Sequence, residues 1–499
     1  MPEHLRALVV ILAFAAAVFT LAGPSARAMA TAAGEFERRR NLWFLITLAA
    51  FLAHNFWLFM LLAGLLLHFA SAKDSNKIGL VFFVLLAVPP FPVAIPGFGG
   101  IQTLFDMNYL RLISLVVLLP AFIRELTRHS WSHFATEMPD KLFFLYMLLN
   151  AVLLFFRSES MTVAARSTFL LFVDFVLFYV VASRLVLNYS TLRSIFAGYA
   201  VGAAILAAVG VFEFLRHWLL YSSLDAALGW QTAGSHYLLR GDSLRAMATG
   251  GHAIAFGYAM AVGVMLLLGL RRFFPWKTAW LIGIGLLGMG LISSYSRGPW
   301  LGGLAGFVVF CLTGPNKSRN FAQLALFAMV MVAILIATPL GDIIVYRTTT
   351  VDTGTIDYRE RLFWNSLEII AANPFFGSGD FRFTAAMQEM IQGQGIIDIV
   401  NTYVSAALRN GLVGLFLFVG FFFSAMFGIW RRMNSIGDTD GEAIDIGRGL
   451  LAALTCILVT IATVSSISYV PSIYYAVAGL AVAYARCQHE RPHDAAPGG

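Results

Sequence analysis

The chain has 499 residues, of which 59% are hydrophobic and 12% are charged, and its mean hydropathy is +0.77. A water-soluble core of this size does not require so much apolar sequence, whereas repeated membrane spans of about 20 residues do. The net charge of +7 comes from basic residues in short turns between apolar runs, where positive charge sets the orientation of a protein in the membrane. We therefore expect no nucleic-acid partner. The spacing of Cys311, Cys456 and Cys487 predicts no disulfide framework, and we expect no metal or cofactor.

The N-terminal region contains two unusual apolar runs. Residues 5–23 are followed by Ala26-Arg27-Ala28, as in a cleavable signal peptide, but we favour an uncleaved span in so apolar a chain. The run 42–69 is too long for one upright helix and too short for two full ones. A bent pair of short passes, broken near His54 and Asn55, would keep Arg38-Arg39-Arg40 on the same side as the other basic turns.

Further spans follow to the end of the chain. Their predicted ranges are 78–95, 111–124, 141–156, 167–187, 195–217, 252–270, 276–293, 299–313, 320–340, 409–430, 446–465 and 468–486. Because backbone groups cannot stay unpaired in lipid and the runs do not alternate, these spans are predicted to be helices. The fold class is therefore all-α, a polytopic membrane bundle of about 12 to 14 segments with one large outer-face loop containing short helices. We divide the chain into an N-terminal bundle (1–340), a loop (341–404) and a C-terminal part with three spans and a cytoplasmic tail (405–499).

Basic residues predict the topology. Lys and Arg occur in the turns near residues 73–77, 124–128, 184–193, 271–277, 317–319 and 431–432, and this side is predicted to be the cytoplasm. Alternation then places residues 218–251, the turn at 294–297 and the loop 341–404 on the opposite face.

The outer turn Ser296-Arg297-Gly298-Pro299-Trp300 is too short to form a domain. Since Arg is scarce on the outer side, Arg297 is a candidate for holding an anion at the membrane surface. The alternative is an interfacial arginine that extends to lipid phosphates.

The outer segment Arg240-Gly241-Asp242-Ser243-Leu244-Arg245 ends just before the span that opens near His252. Two guanidinium groups can bind a diphosphate bidentately, which lysine does less well, so Arg240 and Arg245 are further candidates. An ordinary solvated loop would look similar.

The large loop 341–404 holds five Asp, three Glu and four Arg. Residues 356–372 predict an amphipathic helix, with Asp357 at its start, Glu360 three residues later and Asn373-Pro374 as a stop. Asp357, Arg361, Asn365 and Glu368 share one stripe of that helix, which spacing alone explains equally well as a salt-bridged surface.

Several motifs follow in a characteristic order: Ser-Arg-Gly between two spans, then a long loop with Trp364, Asn373-Pro374, Gly377-Ser378-Gly379, Asn401-Thr402-Tyr403 and Gly411-Leu412-Val413-Gly414. Over roughly residues 240–430 this order resembles the O-antigen ligase and Wzy-type polymerase superfamily. The resemblance implies transfer of a glycan from undecaprenyl diphosphate to an acceptor hydroxyl, with inversion, at the outer face of the bacterial inner membrane. It also implies the lipid bilayer, a chain-length regulator and a flippase as partners.

The resemblance matches the family's two lipid-facing arginines to Arg245 and Arg297. Where many members carry His-Asn, this chain has Val400-Asn401, and the loop contains no other histidine. A carboxylate is therefore the expected base. The predicted catalytic residues are Arg297, Arg245, Glu360, Glu368 and Asp398, and the predicted substrate-binding residues are Arg240, Arg359, Arg361, Trp364, Asn401 and Tyr403.

The missing histidine favours a polymerase of exopolysaccharide, capsule or O-antigen repeat units over a ligase that uses lipid A core. A transporter or flippase is the alternative from another class, and charged residues at mid-membrane would support it. Asp174 and Glu213 are candidates for such charges, and we interpret both as packed, hydrogen-bonded helix residues.

Overall fold

The computed structural model describes residues 2–97, 102–128, 134–228, 239–240, 243–315, 353–391, 397–437 and 440–487, with a few isolated positions. Helices dominate this part of the chain. In chain order they are α1 (Glu3–Met29), α2 (Glu35–Leu52), α3 (Phe56–Lys73), α4 (Lys77–Val84), α5 (Tyr109–Ile113), α6 (Leu119–Arg128), α7 (Met138–Arg157), α8 (Met161–Leu171), α9 (Leu177–Leu185), α10 (Tyr189–Arg216), α11 (Leu224–Ala227), α12 (Ala253–Leu268), α13 (Lys277–Ser293), α14 (Arg297–Leu312), α15 (Thr353–Ala372), α16 (Ala385–Gln388), α17 (Thr402–Ile436), α18 (Gly441–Ile461) and α19 (Val470–Arg486).

The predicted all-α membrane bundle is confirmed, since among the described residues seven helical segments are long and apolar enough to cross a membrane. One of the seven segments joins two helices, because α8 continues through the π-helical residues Phe172–Val176 into α9. Outside the seven, α5 similarly continues through Ser114–Leu118 into α6. The helices α12, α13 and α14 are apolar but shorter. The total of 12 to 14 segments stays a prediction.

One predicted span is wrong. Residues 78–95 do not form a continuous helix, because α4 ends at Val84 and the chain then forms a two-stranded antiparallel hairpin. Its strands are β1 (Val93–Pro96) and β2 (Thr103–Met107). Proline lacks the backbone N–H and clashes with the preceding turn, so the prolines that follow Ala87-Val88 prevent the helix from continuing. The predicted span 320–340 lies almost entirely outside the described residues.

The break that we predicted near His54 and Asn55 is confirmed. His54 has a positive φ of 51°, and the Asn55 side chain caps α3 by accepting the N–H groups of Trp57 and Leu58. Both helices have 18 residues, because α2 starts at Glu35 and α3 runs to Lys73. The two helices are therefore longer than the apolar run alone indicated.

The predicted amphipathic helix of the loop exists as α15, and it ends immediately before Asn373-Pro374 as expected. Its predicted start was wrong by three residues. The helix begins at Thr353, so Asp357 lies within it rather than at its N-cap.

Polar contacts define two ends of the bundle. At one end, Arg193 pairs with Glu442 at 3.1 Å, Arg272 pairs with Asp445 at 3.1 Å, and Arg39 hydrogen-bonds to Ser194 at 3.2 Å. We call this the basic end. At the other end, which we call the loop end, α14 begins, α18 finishes and α17 enters from the loop.

The interior carboxylates Asp174 and Glu213 are packed and hydrogen-bonded, as predicted. Asp174 pairs with Arg111 at 2.8 Å. Glu213 is fully buried and accepts the backbone N–H groups of Leu220, Met247 and Ala248 at 2.9–3.1 Å. Since an unpaired buried carboxylate is costly, these bonds fix the segment after Arg245 onto α10.

Candidate functional site

The two outer arginine motifs meet at the loop end. Arg245 donates from Nη2 to Ser296 Oγ at 2.9 Å and from Nε to the Ser294 carbonyl at 3.4 Å. Ala246 also donates its backbone N–H to the Ser293 carbonyl at 3.1 Å. The segment that ends in Arg245 is therefore attached directly to the turn that carries Arg297.

Arg297 is the first residue of α14, and its side chain is exposed. The N-cap residue Ser296 makes no side-chain capping bond to the helix. A helix N-terminus carries a partial positive charge and unpaired N–H groups, so a cation there is unfavourable until an anion binds. The first turn of α14, Arg297 and Arg245 together form a site suited to phosphate oxygens.

The position of α14 is set by close packing against α18. Gly302 and Gly306 face Thr460, Ala452 and Cys456, and a Cβ atom at Gly306 would lie 2.7 Å from the Ala452 carbonyl oxygen. The small residues allow the two backbones to approach, which holds the N-terminus of α14 beside the segment that follows α18.

His252 belongs to the same group of residues. Its Nδ1 accepts the Ile254 N–H at 3.2 Å, so the hydrogen of the neutral ring lies on Nε2. Burial, followed by the charge of Arg245, lowers the pKa of His252 to about 4, while Asp398 acts in the opposite direction. At pH 7 this ring is a neutral donor and cannot remove a proton through Nε2.

Of the three predicted carboxylates, Asp398 is the one that lies near His252 and Arg245. It lies close enough to His252 to influence its charge, and its Oδ1 accepts a hydrogen bond of 2.5 Å from Ser465 Oγ. The Ser465 hydroxyl also lies 3.1 Å from the Ile399 carbonyl. The segment after α18 therefore fixes the only predicted acid among the described residues that contacts the interior of the loop end.

The other two predicted acids lie elsewhere. Glu360 and Glu368 are exposed on α15. On the same helix, Trp364 is 60% exposed, and Arg361 forms a surface pair with Glu389 at 3.7 Å. An exposed pair of this kind contributes little to stability, and the structure does not place these four side chains beside Arg245.

A small cavity of about 150 Å³ joins α15 to the start of α17, with Arg359, Val400, Asn401 and Thr463 in its wall. The Asn401 side chain caps α17 by accepting two backbone N–H groups. Predicted residues Arg359 and Asn401 are thus neighbours, at the position where the family histidine is replaced by Val400.

Tyr403 and Arg240, which were both predicted to bind substrate, lie in a helix and a short hairpin, respectively. The Tyr403 hydroxyl donates to the Leu458 carbonyl at 3.0 Å, which ties α17 to α18. Arg240 lies in β3 (Leu239–Arg240), which pairs with β4 (Ser243–Leu244), and its side chain lies outside the described residues.

The Pro374–Gly377 turn is clamped to α17. Leu412 donates its N–H to the Pro374 carbonyl at 2.7 Å, and Ser378 donates to the Leu408 carbonyl at 2.8 Å. Arg157, the last residue of α7, donates to the carbonyls of Phe376, Gly377 and Arg409. Gly411 breaks the α17 backbone with φ 68° to permit this contact.

We expect Gly411→Ala to displace the loop and to reduce activity far more than Gly437→Ala does. Both glycines have positive φ, so both variants carry a similar conformational cost of roughly 1–2 kcal/mol. A Cβ atom at Gly411 would also collide with the Phe375 carbonyl, whereas none of the described atoms lies within 4 Å of a Cβ atom at Gly437. Limited proteolysis of the loop and activity measurements would check this prediction, and equal effects of the two variants would contradict it.

A larger cavity of about 470 Å³ opens beside the clamp, by which we mean the contacts of Arg157 and the Pro374–Gly377 turn with α17. Its wall combines aromatic rings, side-chain amides, hydroxyl groups and charged groups from α7, α17, α19 and the loop. The polar and aromatic residues of this wall include Tyr146, Asn150, Arg382, Asp398, Arg409, Asn410, Tyr474 and Tyr475. Pockets that bind ligands have this mixture of apolar surface and a few convergent polar groups.

Sequence reasoning missed several residues of the loop end. His252 is one of them, although a histidine at a helix entrance close to an outer arginine is a usable signal in the sequence. The scarcity of outer arginines, which identified Arg297, applies equally to Arg157, Arg382 and Arg409. Ser465 carried no signal, because its role depends on a contact 67 residues away.

A family model described as O-antigen ligase matches residues 282–419, a little over a quarter of the chain. The matched segment contains the Ser294–Arg297 turn, α14, the loop and the start of α17. No individually curated protein matches the chain. The family match confirms the resemblance: residues 282–419 are similar to the O-antigen ligase family, whose members are glycosyltransferase-like enzymes that act on lipid-linked glycans. The apolar helices identify the chain as a multi-pass membrane protein.

Proposed function

We propose that the protein is a polymerase that joins undecaprenyl-diphosphate-linked oligosaccharide repeat units into an exopolysaccharide, capsule or O-antigen. The observation that carries this proposal is the attachment of Arg245 to the turn that presents Arg297 at the start of α14. Arg245, Arg297 and a helix N-terminus lie at one turn, and this combination is suited to a diphosphate without a metal ion.

The reaction that fits this site is a single displacement. The acceptor hydroxyl oxygen forms a bond to the anomeric carbon of the donor glycan, while the bond from that carbon to the diphosphate oxygen breaks. The anomeric configuration inverts. The lipid diphosphate leaves with the bonding electrons, and Arg245 and Arg297 stabilise the negative charge that it gains.

Asp398 is the best-placed group to receive the proton of the acceptor hydroxyl. It lies on the cavity wall and near His252, whereas Glu360 and Glu368 are exposed on α15. A general base must lie within hydrogen-bond reach of its proton, and geometry therefore favours Asp398. His252 serves as a hydrogen-bond donor to substrate through Nε2.

Val400 at the position of the family histidine supports a polymerase over a ligase that uses lipid A core. In a ligase-like arrangement a histidine would stand in the cavity shared by Arg359 and Asn401. The transporter alternative has less support, because Asp174 and Glu213 are both satisfied by internal partners. A flippase and a chain-length regulator are proposed partners.

The test uses purified full-length protein in proteoliposomes with a lipid-linked oligosaccharide as substrate. A ladder of longer lipid-linked glycans would support the polymerase. Transfer that occurs only after lipid A core is added would identify a ligase instead, and passage across the bilayer without a new glycosidic bond would identify a transporter.

We further propose that the loop end faces the periplasm and the basic end faces the cytoplasm of a bacterial inner membrane. Helix α17 has 35 residues and leads from the loop to the basic end, a length of about 50 Å that exceeds the hydrocarbon core. The basic turns gathered near Arg193, Arg272 and Arg432 favour the cytoplasm for their end.

We expect reporter fusions at Gly354 and Gly437 to report opposite sides of the membrane, with Gly354 in the periplasm. The physical reason is the charge asymmetry between the two ends of α17. A paired alkaline phosphatase and fluorescent-protein reporter at each position provides the measurement. The same side for both positions would contradict the topology and the site assignment with it.

A further inference from the structure

The cavity of about 470 Å³ contains two arginines that the reaction above does not use. Arg382 follows the Gly377-Ser378-Gly379 turn, and Arg409 lies in the first part of α17, before the break at Gly411. Both side chains contribute to the cavity wall. The two side chains therefore bring two cations to one cavity.

Within the described part of the chain, neither guanidinium group has a carboxylate within the 4 Å of an ion pair, although Asp398 lies on the same cavity wall. Asp398 instead accepts the Ser465 hydroxyl. Two neighbouring cations without a carboxylate between them repel one another, and an oxyanion bound between them removes that repulsion.

The position of Arg409 is fixed by its backbone. Arg157 donates to the Arg409 carbonyl at 2.5 Å, and the Gly411 break is locked against the Pro374–Gly377 turn. The same turn leads to Arg382. These contacts therefore hold both arginines at one cavity, and such an arrangement preorganises a binding site.

The remainder of the wall suits a sugar. Tyr146, Tyr474 and Tyr475 supply aromatic surface, while the Asn410 amide donates to Asn150 Oδ1 at 3.0 Å and to Tyr146 Oη at 3.4 Å. Flat apolar rings beside an ordered amide network can contact both the C–H face and the hydroxyl groups of a pyranose ring.

Asp398 connects this cavity with the Arg297 side of the loop end, because it lies on the cavity wall and accepts the hydroxyl of Ser465, in the segment after α18 beside which the N-terminus of α14 is held. A polymerase requires two lipid-linked glycans at once. The donor diphosphate is assigned to Arg245 and Arg297, so the cavity on the other side of Asp398 is available for the acceptor.

We propose that this cavity binds the acceptor glycan and that Arg382 and Arg409 bind an oxyanion carried by that acceptor. The oxyanion is either a carboxylate of an acidic sugar in the repeat unit or the diphosphate of the second lipid. This assignment rests on the proposed polymerase function, and it places the acceptor hydroxyl beside Asp398.

A binding experiment tests the site independently of catalysis. Full-length protein with Arg245→Ala and Arg297→Ala, which lacks the proposed donor site, is compared with the same protein that also carries Arg382→Gln and Arg409→Gln. The probes are inorganic pyrophosphate, glucuronate and neutral glucose, with Arg272→Gln as the matched control at the basic end.

We expect the added Gln substitutions to weaken binding of one oxyanion probe by about tenfold or more, the effect of losing a charge-assisted hydrogen bond. Loss of pyrophosphate binding would assign the site to the second lipid diphosphate, and loss of glucuronate binding to an acidic sugar. Equal binding by both proteins, or binding of neither oxyanion to the first protein, would overturn the proposal.

A kinetic experiment separates this inference from the proposed function. In the protein with intact Arg245 and Arg297, Arg382→Gln and Arg409→Gln should raise the KM for the acceptor about tenfold and change kcat little. An unchanged acceptor KM in an active polymerase would refute the acceptor site alone. Absence of transfer by the wild-type protein would refute the polymerase, whereas the binding result would still stand.

Discussion

Arg297→Ala should abolish polymer formation, with a loss of turnover on the order of 100-fold to 1,000-fold, while the protein remains in the membrane at a normal level. Arg297 is exposed at the first turn of α14, so its removal leaves the packing of that helix unchanged. What is lost is the group that stabilises the leaving diphosphate. Turnover of a lipid-linked oligosaccharide in proteoliposomes is the measurement.

Arg245→Ala should have a similar effect, with some structural cost because Arg245 also bonds to Ser294 and Ser296. Arg297→Lys should restore activity only in part, since lysine lacks the bidentate fork. Arg272→Ala is the matched control, an exposed arginine paired with Asp445 at the basic end. Full activity in Arg297→Ala would contradict diphosphate binding and would favour an interfacial arginine that extends to lipid phosphates.

Asp398→Asn should lower turnover by a factor on the order of 100 to 10,000, the contribution typical of a general base. Asparagine keeps the shape of the side chain and can still accept the Ser465 hydroxyl, which in the wild-type protein lies 2.5 Å from Oδ1. The loss would therefore report the missing proton acceptor rather than a rearranged segment. Turnover at saturating acceptor is the appropriate measurement.

Glu360→Gln and Glu368→Gln provide the comparison, because both carboxylates were candidates on sequence grounds and both are exposed on α15. We expect these variants to retain near-normal turnover. A large loss at one of them with normal turnover in Asp398→Asn would assign the base to α15. Normal turnover in all three would show that positioning and charge stabilisation carry the reaction without a carboxylate base.

The fold class and the break near His54 were predictable because they depend on local sequence. Apolar composition specifies membrane helices, and Asn55 supplies a cap immediately after the break. The false span at 78–95 shows the limit of hydropathy. Its apolar residues continue past Val84, but the prolines that follow cannot be accommodated in a helix, and the predicted span ends in strand β1 of a hairpin.

The site was predictable as separate motifs and not as an arrangement. Arg245 and Arg297 were each identified by their outer position, yet their connection depends on Ser296, which is 51 residues from Arg245. Helical spacing placed Glu360 and Glu368 on α15 but could not show that α15 leaves them exposed. Glu213 illustrates the same point, since its backbone partners at Met247 and Ala248 are 34 and 35 residues away.

The most direct test of the central claim is the release of lipid diphosphate by the purified protein in proteoliposomes that contain only lipid-linked oligosaccharide. The site centred on Arg245 and Arg297 predicts one lipid diphosphate released for each new glycosidic bond, and almost none with Arg297→Ala. Intact lipid-linked oligosaccharide that has only crossed the bilayer, or release that continues unchanged in Arg297→Ala, would contradict the assignment.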